Sequence, residues 1–106
     1  QVYGGATMGL GYALTERLIL QNGKVMNPNF LDYKMLTAKD VPNIEPLVIE
    51  TNDQFGPFGA KGIGEPGLVP TAPAVANAIY DAVGVRIKDL PITPEKVLAA
   101  LKEKKK

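Results

Sequence analysis

The chain has 106 residues, 45% hydrophobic and 22% charged, with a formal net charge of +1, an ordinary globular composition that allows one domain or part of one. At this length a compact fold buries roughly 60–70% of the surface its unfolded form exposes, enough for a modest core but not for a large cofactor cavity. Cysteine and histidine are both absent, which excludes disulfides, thiolate nucleophiles, iron–sulfur ligation, the common zinc sites and Ser/His or Cys/His catalysis.

The positive charge sits in the tail, where Lys102, Lys104, Lys105 and Lys106 outweigh Glu103. A lysine run after a helical pattern suits the negative end of a helix dipole and is a solvated face, not a nucleic-acid surface. The apolar stretch from Met8 to Leu20 is broken by Thr15, Glu16 and Arg17 and falls short of the ~20 residues a membrane helix needs. The chain opens on Gln1 rather than methionine, as expected of an internal or processed start.

Taken in chain order, Met8, Tyr12 and Ile19 form one helical set and Leu10, Leu14 and Leu18 a second. They predict a largely buried helix over 5–20. Gly4, Gly5, Gly9 and Gly11 weaken such a helix by about 1 kcal/mol each where they are interior, and they permit a second backbone to approach closely. Gln21-Asn22-Gly23-Lys24 marks a turn, and residues 25–46 read as a meandering segment. Pro46-Leu47-Val48-Ile49-Glu50-Thr51 predicts a strand at least half buried. Residues 52–70 are rich in glycine and proline and read as a long loop. A helix over 71–83 follows, with Thr71 as its cap, Pro73 in its first turn, an apolar stripe of Val75, Ala78, Ile79 and Ala82, and Gly84 as its stop. Val85 to Leu90 alternates as a strand does. Thr93 caps a last helix that has Pro94 and Glu95 in its first turn and Val97, Leu98 and Leu101 on one side. The fold class is α/β in the α+β sense, with helices packed on a small sheet.

Within the long loop, Gly62-x-Gly64-x-x-Gly67 satisfies a dinucleotide-binding spacing. Its context fails: no hydrophobic strand precedes it, and Pro66 and Pro70 interrupt the helix it would open. A different feature is informative. Glu65 stands between Gly64, which frees the backbone, and Pro66, which biases the residue before it to an extended conformation. The glycines at 59, 62 and 64 remove bulk around it, so backbone amides can approach a large ligand. From the residues alone two readings stand: a shaped turn presenting a functional acid, and a tight surface loop with a hydrated Glu65. The glycines and apolar helices equally suit a noncatalytic assembly module, and the amides opening the 71–83 helix suit a phosphate.

Gly56-Pro57-Phe58-Gly59-Ala60-Lys61-Gly62-Ile63-Gly64-Glu65-Pro66 is followed by Asn77-Ala78-Ile79-Tyr80-Asp81-Ala82 and then by Leu90-Pro91-Ile92-Thr93-Pro94-Glu95-Lys96-Val97. This order resembles the C-terminal end of the molybdopterin-binding subunit of the xanthine dehydrogenase and aldehyde oxidase family of molybdenum hydroxylases. Gln1-Val2-Tyr3-Gly4-Gly5 with Gly9-Leu10-Gly11 is similar to a family segment upstream, so the resemblance covers nearly the whole chain, with 22–48 the least diagnostic part. It implies that residues 1–106 are a C-terminal fragment of a molybdopterin-binding catalytic domain and are inactive alone. Glu65 would be the general base that takes a proton from a molybdenum-bound hydroxyl, whose oxygen attacks an electron-poor carbon of a purine, aldehyde or aromatic substrate. Gln1 would hydrogen-bond the pterin cofactor, and the backbone of Gly62, Ile63 and Gly64 would lie against it. Lys61 receives no catalytic role, and no residue of the chain is implied as a metal ligand. The family further implies a molybdenum–molybdopterin cofactor, iron–sulfur clusters and FAD on other domains or subunits, the rest of the subunit as partner, a small-molecule substrate, no nucleic acid, no membrane span and a cytoplasmic location.

Overall fold

A computed structural model describes residues 1–105. In chain order it holds α1 (Val2–Leu14), a hairpin of β1 (Leu20–Gln21) and β2 (Lys24–Val25), a short turn at Pro57–Gly59, α2 (Thr71–Val83) and α3 (Pro94–Lys104). Three helices and one small antiparallel sheet bear out the α+β class.

Helix α1 starts earlier and stops earlier than the apolar periodicity implies. Its end has a local cause: the Gly11 carbonyl accepts from the Thr15 N–H at 2.8 Å, the Glu16 N–H at 2.9 Å and the Thr15 hydroxyl at 3.1 Å. The wide Glu16 bond and the competing hydroxyl halt the regular i to i+4 ladder. The same hydroxyl lies 2.8 Å from the Lys34 carbonyl. Leu18, Ile19 and Leu20, expected on the helix, instead run exposed into the hairpin. The buried face of α1 is not its large apolar side chains but Gly5, Gly9, Gly11 and Ala13.

That glycine face is where α1 meets the chain leading into α2. A Cβ at Gly5 would lie 3.0 Å from the Gly67 carbonyl carbon, and one at Gly9 would lie 2.5 Å from Thr71 Cβ. The backbones touch because side chains are missing, which is what glycine permits in a helix. Thr71 does not cap α2. That position falls to Pro70, and the Thr71 hydroxyl donates to the Gly67 carbonyl at 2.9 Å. The inward stripe of α2 is Ala72, Val75, Ala76 and Ile79, whereas Ala78 and Ala82 are exposed. Gly84 ends the helix in the left-handed region, φ 67°, as expected of a glycine stop.

In the hairpin, Leu20 pairs with Val25 and Gln21 with Lys24. Asn22 and Gly23 take φ of 49° and 78°, the two positive values that a tight two-residue hairpin requires. Asn27 is the one buried polar residue among those described, and its amide is paired on both sides. Its Oδ1 accepts from the Ile19 N–H at 2.8 Å, and its Nδ2 donates to the Arg17 carbonyl at 2.7 Å. The strand back from α1 is thereby tied to the hairpin.

Helix α3 follows its sequence signals. Thr93 accepts from the Lys96 N–H at 3.4 Å, and the Glu95 carboxyl is held below its ordinary range by its own backbone N–H and then by the Thr93 hydroxyl. The Ile92 N–H donates to the Ala13 carbonyl at 2.7 Å, joining the two most buried apolar residues, Ala13 and Ile92; with Ala72 and Val85 they make up the core.

Two expected strands do not form. Residues 85–90 keep the alternation, with Val85 buried and Ile87 half-buried, but pair with nothing. Residues 46–51 take no regular structure, and Leu47 and Ile49 are 85% and 83% exposed. A pleat pattern reports which side chains want burial; a strand also needs a neighbour to accept its hydrogen bonds. The surface area is 8527 Å², against about 5,700 Å² for a compact monomer of this mass. The radius of gyration is 17.5 Å, against about 13 Å expected.

The glycine contact yields a paired expectation. Gly9→Ala drives a methyl into Thr71 and should destabilise the fold by about 1–3 kcal/mol. Gly4→Ala, where a Cβ meets nothing within 4 Å, should be neutral or stabilising by up to about 1 kcal/mol. Urea unfolding of the two variants side by side checks both signs.

Candidate functional site

The loop before Glu65 is organised from within. Asp53 Oδ1 accepts from the N–H groups of Phe55 at 2.8 Å and Gly56 at 3.1 Å, and the Asp53 N–H donates to the Gly59 carbonyl at 3.1 Å. Asn52, Phe58 and Gly59 all have positive φ, 48°, 54° and 76°. For a phenylalanine this is a strained backbone, costing on the order of 1–3 kcal/mol. Sequence reasoning missed this knot. The Asp53-x-Phe55-Gly56 spacing, a short acceptor two and three residues before free amides, was the available signal.

Beyond it, Gly62, Ile63, Gly64 and Glu65 are exposed, and Lys61 is exposed as well. The Glu65 carbonyl accepts from the N–H groups of Leu68 at 2.8 Å and Val69 at 3.2 Å, closing a turn that Pro66 opens. The far side of that turn is fastened to α1 and α2: Gly67 lies against Val2 and Gly5, Thr71 bonds the Gly67 carbonyl, and the Tyr12 hydroxyl reaches the Leu68 carbonyl at 3.5 Å.

Gln1 closes the arrangement. Its Nε2 donates to the Gly64 carbonyl at 2.9 Å, bringing together two segments 63 residues apart. The four residues read as cofactor contacts, Gln1, Gly62, Ile63 and Gly64, thus share one exposed edge of the molecule with Glu65.

This edge is open to a bulky ligand. A Cβ at Gly62 or Gly64 would meet nothing within 4 Å, so the backbone there is open to a bulky group. The chain offers that group an amide side chain and backbone polar groups. Among the described residues no three His, Cys, Asp or Glu side chains gather as a metal-binding set.

The phosphate alternative finds no nest at the start of α2. The Thr71 N–H is taken by the Leu68 carbonyl and the Ala74 N–H by the Pro70 carbonyl; Pro73 has none, and Ala72 is buried. The shallow apolar groove lined by Leu10, Pro70, Thr71, Ala74, Val75 and Ala78 lies along the α1–α2 seam and contains none of the site residues.

A family model described as a molybdopterin cofactor-binding domain matches residues 1–42. The chain is 46% identical over 99 residues to the putative xanthine dehydrogenase molybdenum-binding subunit XdhA of Escherichia coli K12, covering 92% of this chain and 13% of that protein. It is 39% identical over 104 residues to the aldehyde oxidoreductase molybdenum-binding subunit PaoC of the same organism, covering 95% and 14%. Among solved structures, quinoline 2-oxidoreductase from Pseudomonas putida 86 superposes with a TM-score of 0.86 at 31% identity over 96% of this chain and 14% of that one. The chain belongs to the molybdenum hydroxylase family of xanthine dehydrogenase and aldehyde oxidase type, within the molybdopterin-binding subunit. It spans about one-seventh of the length of the relatives it matches.

Because Gly62 and Gly64 are open, Gly62→Ala and Gly64→Ala should leave folding within about 0.5 kcal/mol of the parent. In the assembled subunit the same methyls should lower molybdopterin content. Unfolding midpoints and cofactor assay of the purified subunit check the two halves.

Proposed function

We propose that residues 1–106 are the C-terminal part of a molybdenum hydroxylase catalytic subunit, acting in the cytoplasm, and that they supply its general base, Glu65, and one wall of its cofactor site. The observation that carries this reading is the Gln1–Gly64 hydrogen bond of 2.9 Å. It unites the two segments that carry the family resemblance, and it does so at the residue before the acid.

The bound cofactor supplies a Lewis acid for the oxygen nucleophile and an electron sink for the oxidation. Everything else falls to the protein. Gln1 and the backbone of Gly62, Ile63 and Gly64 hold one side of the cofactor. Glu65, held out on its turn, takes the proton of the attacking oxygen, for which it must come within about 3 Å directly or through one water. The substrate is a small molecule with an electron-poor carbon: a purine, an aldehyde or an aromatic ring. Its remaining pocket belongs to the rest of the subunit, and iron–sulfur clusters and FAD on other domains or subunits would supply the route for the electrons. The large exposed surface supports this division, since an area well above that of a compact monomer suits a chain that packs against a larger body.

Glu65→Gln in the assembled enzyme removes the proton acceptor while keeping shape. The expected result is a fall in kcat of about 10²–10⁴-fold at unchanged molybdenum and pterin content; a near-normal rate at normal content leaves the chain as an assembly module. Residues 1–106 expressed alone should retain no molybdopterin and show no hydroxylase turnover, checked by metal analysis and activity assay.

A further inference from the structure

We propose that Gln1 is a positioning residue for Glu65, acting through the Gly64 carbonyl; this rests on the reading of Glu65 as the base. The Gly64 carbonyl and the Glu65 N–H belong to one planar peptide unit, so a bond that fixes the oxygen fixes the plane from which the Glu65 Cα departs. Gly64 needs such a restraint. It has no side chain, and the space around it is empty to 4 Å, so its own rotation is otherwise free. On the other side of Glu65 the next peptide is already held, because the Glu65 carbonyl accepts from the Leu68 and Val69 N–H groups. The ties through Gly67, Leu68 and Thr71 all act beyond Pro66. Gln1 alone among the described residues braces the peptide that enters the acid, and it does so from the N-cap of α1, a helix that is itself seated on Gly67.

The bond to Gly64 uses one of the two Nε2 hydrogens. The second hydrogen and Oε1 remain free for the cofactor. The two roles of Gln1 therefore separate in measurement: losing a cofactor contact lowers the fraction of enzyme loaded, whereas losing the brace lowers turnover per bound molybdenum.

The test uses the assembled enzyme carrying Gln1→Ala and, separately, Gln1→Glu, which keeps the size of the side chain but gives an ionised group with no hydrogen to donate. Expected for both is a fall of about tenfold or more in kcat per molybdenum, since small misplacements of a reacting group cost about that much or more. KM should change by less than about twofold, the mark of an interaction that acts on the reaction step rather than on substrate binding. Turnover per molybdenum within about twofold of the parent in both variants overturns the proposal whatever happens to loading, as does a loss of turnover that comes with a severalfold rise in KM. Glu65→Gln measured in parallel keeps the two readings apart. If it is inactive while both Gln1 variants are normal, the brace alone falls; if it keeps its rate, the base reading falls and the brace falls with it.

Discussion

The rest of this structure depends on the contact of two backbones, the glycine face of α1 against Gly67 and Thr71. A methyl at Gly5 would stand 3.0 Å from the Gly67 carbonyl carbon and one at Gly9 would stand inside Thr71. With ordinary side chains at these positions the helix would ride outward, and its first residue would move away from the 62–66 loop. Glycines inside a helix cost about 1 kcal/mol each in propensity. They are kept here at the face where the separation of the two segments is set.

From that contact the geometry of the site follows. The α1 axis, once seated, delivers Gln1 to the Gly64 carbonyl. Thr71, pressed against Gly9, turns its hydroxyl to the Gly67 carbonyl instead of capping its own helix. The acid is then held by its two peptide groups while its carboxylate stays exposed. Orientation is thus achieved locally, by hydrogen bonds between elements that pack on each other. A dry environment is not: a carboxylate that works as a base in a water-excluding site needs walls, and this chain encloses none around Glu65.

The parts of the fold that were legible in the sequence are those whose signals act within one turn of chain. Asn22-Gly23 gave the hairpin, Gly84 the end of α2, and Thr93-Pro94 the start of α3, because positive φ, a missing N–H and a hydroxyl acceptor constrain only near neighbours. The end of α1 was not legible. Leu18 and Ile19 continue the helical period, but the ladder stops at Gly11 because Thr15 also has the Lys34 carbonyl to bond. Likewise the α2 stripe rotated toward Ala72 and Ala76, small residues that let α1 approach, which a search for large apolar side chains overlooks. Resemblance named Gln1 and Glu65 separately; only the tertiary contact made them neighbours, and no local pattern spans 63 residues.

The strand expected at 46–51 separates burial from pairing. Leu47, Val48 and Ile49 are all at least 83% exposed, so the apolar run stands in water on all sides. Such a run has the composition of a strand covered on both sides, and its exposure together with the strained Phe58 turn marks 46–61 as the half of the chain that its own helices do not brace. Glu65 lies at the boundary: from Gly64 onward α1 and α2 fix it, whereas among the described residues the 52–61 loop is fixed by Asp53 and its own turns. On the proposed reading, the surface that covers 46–61 also walls the cofactor edge. Assembly with the larger subunit then completes, in one step, both the missing hydrophobic cover and the exclusion of water on which the base depends.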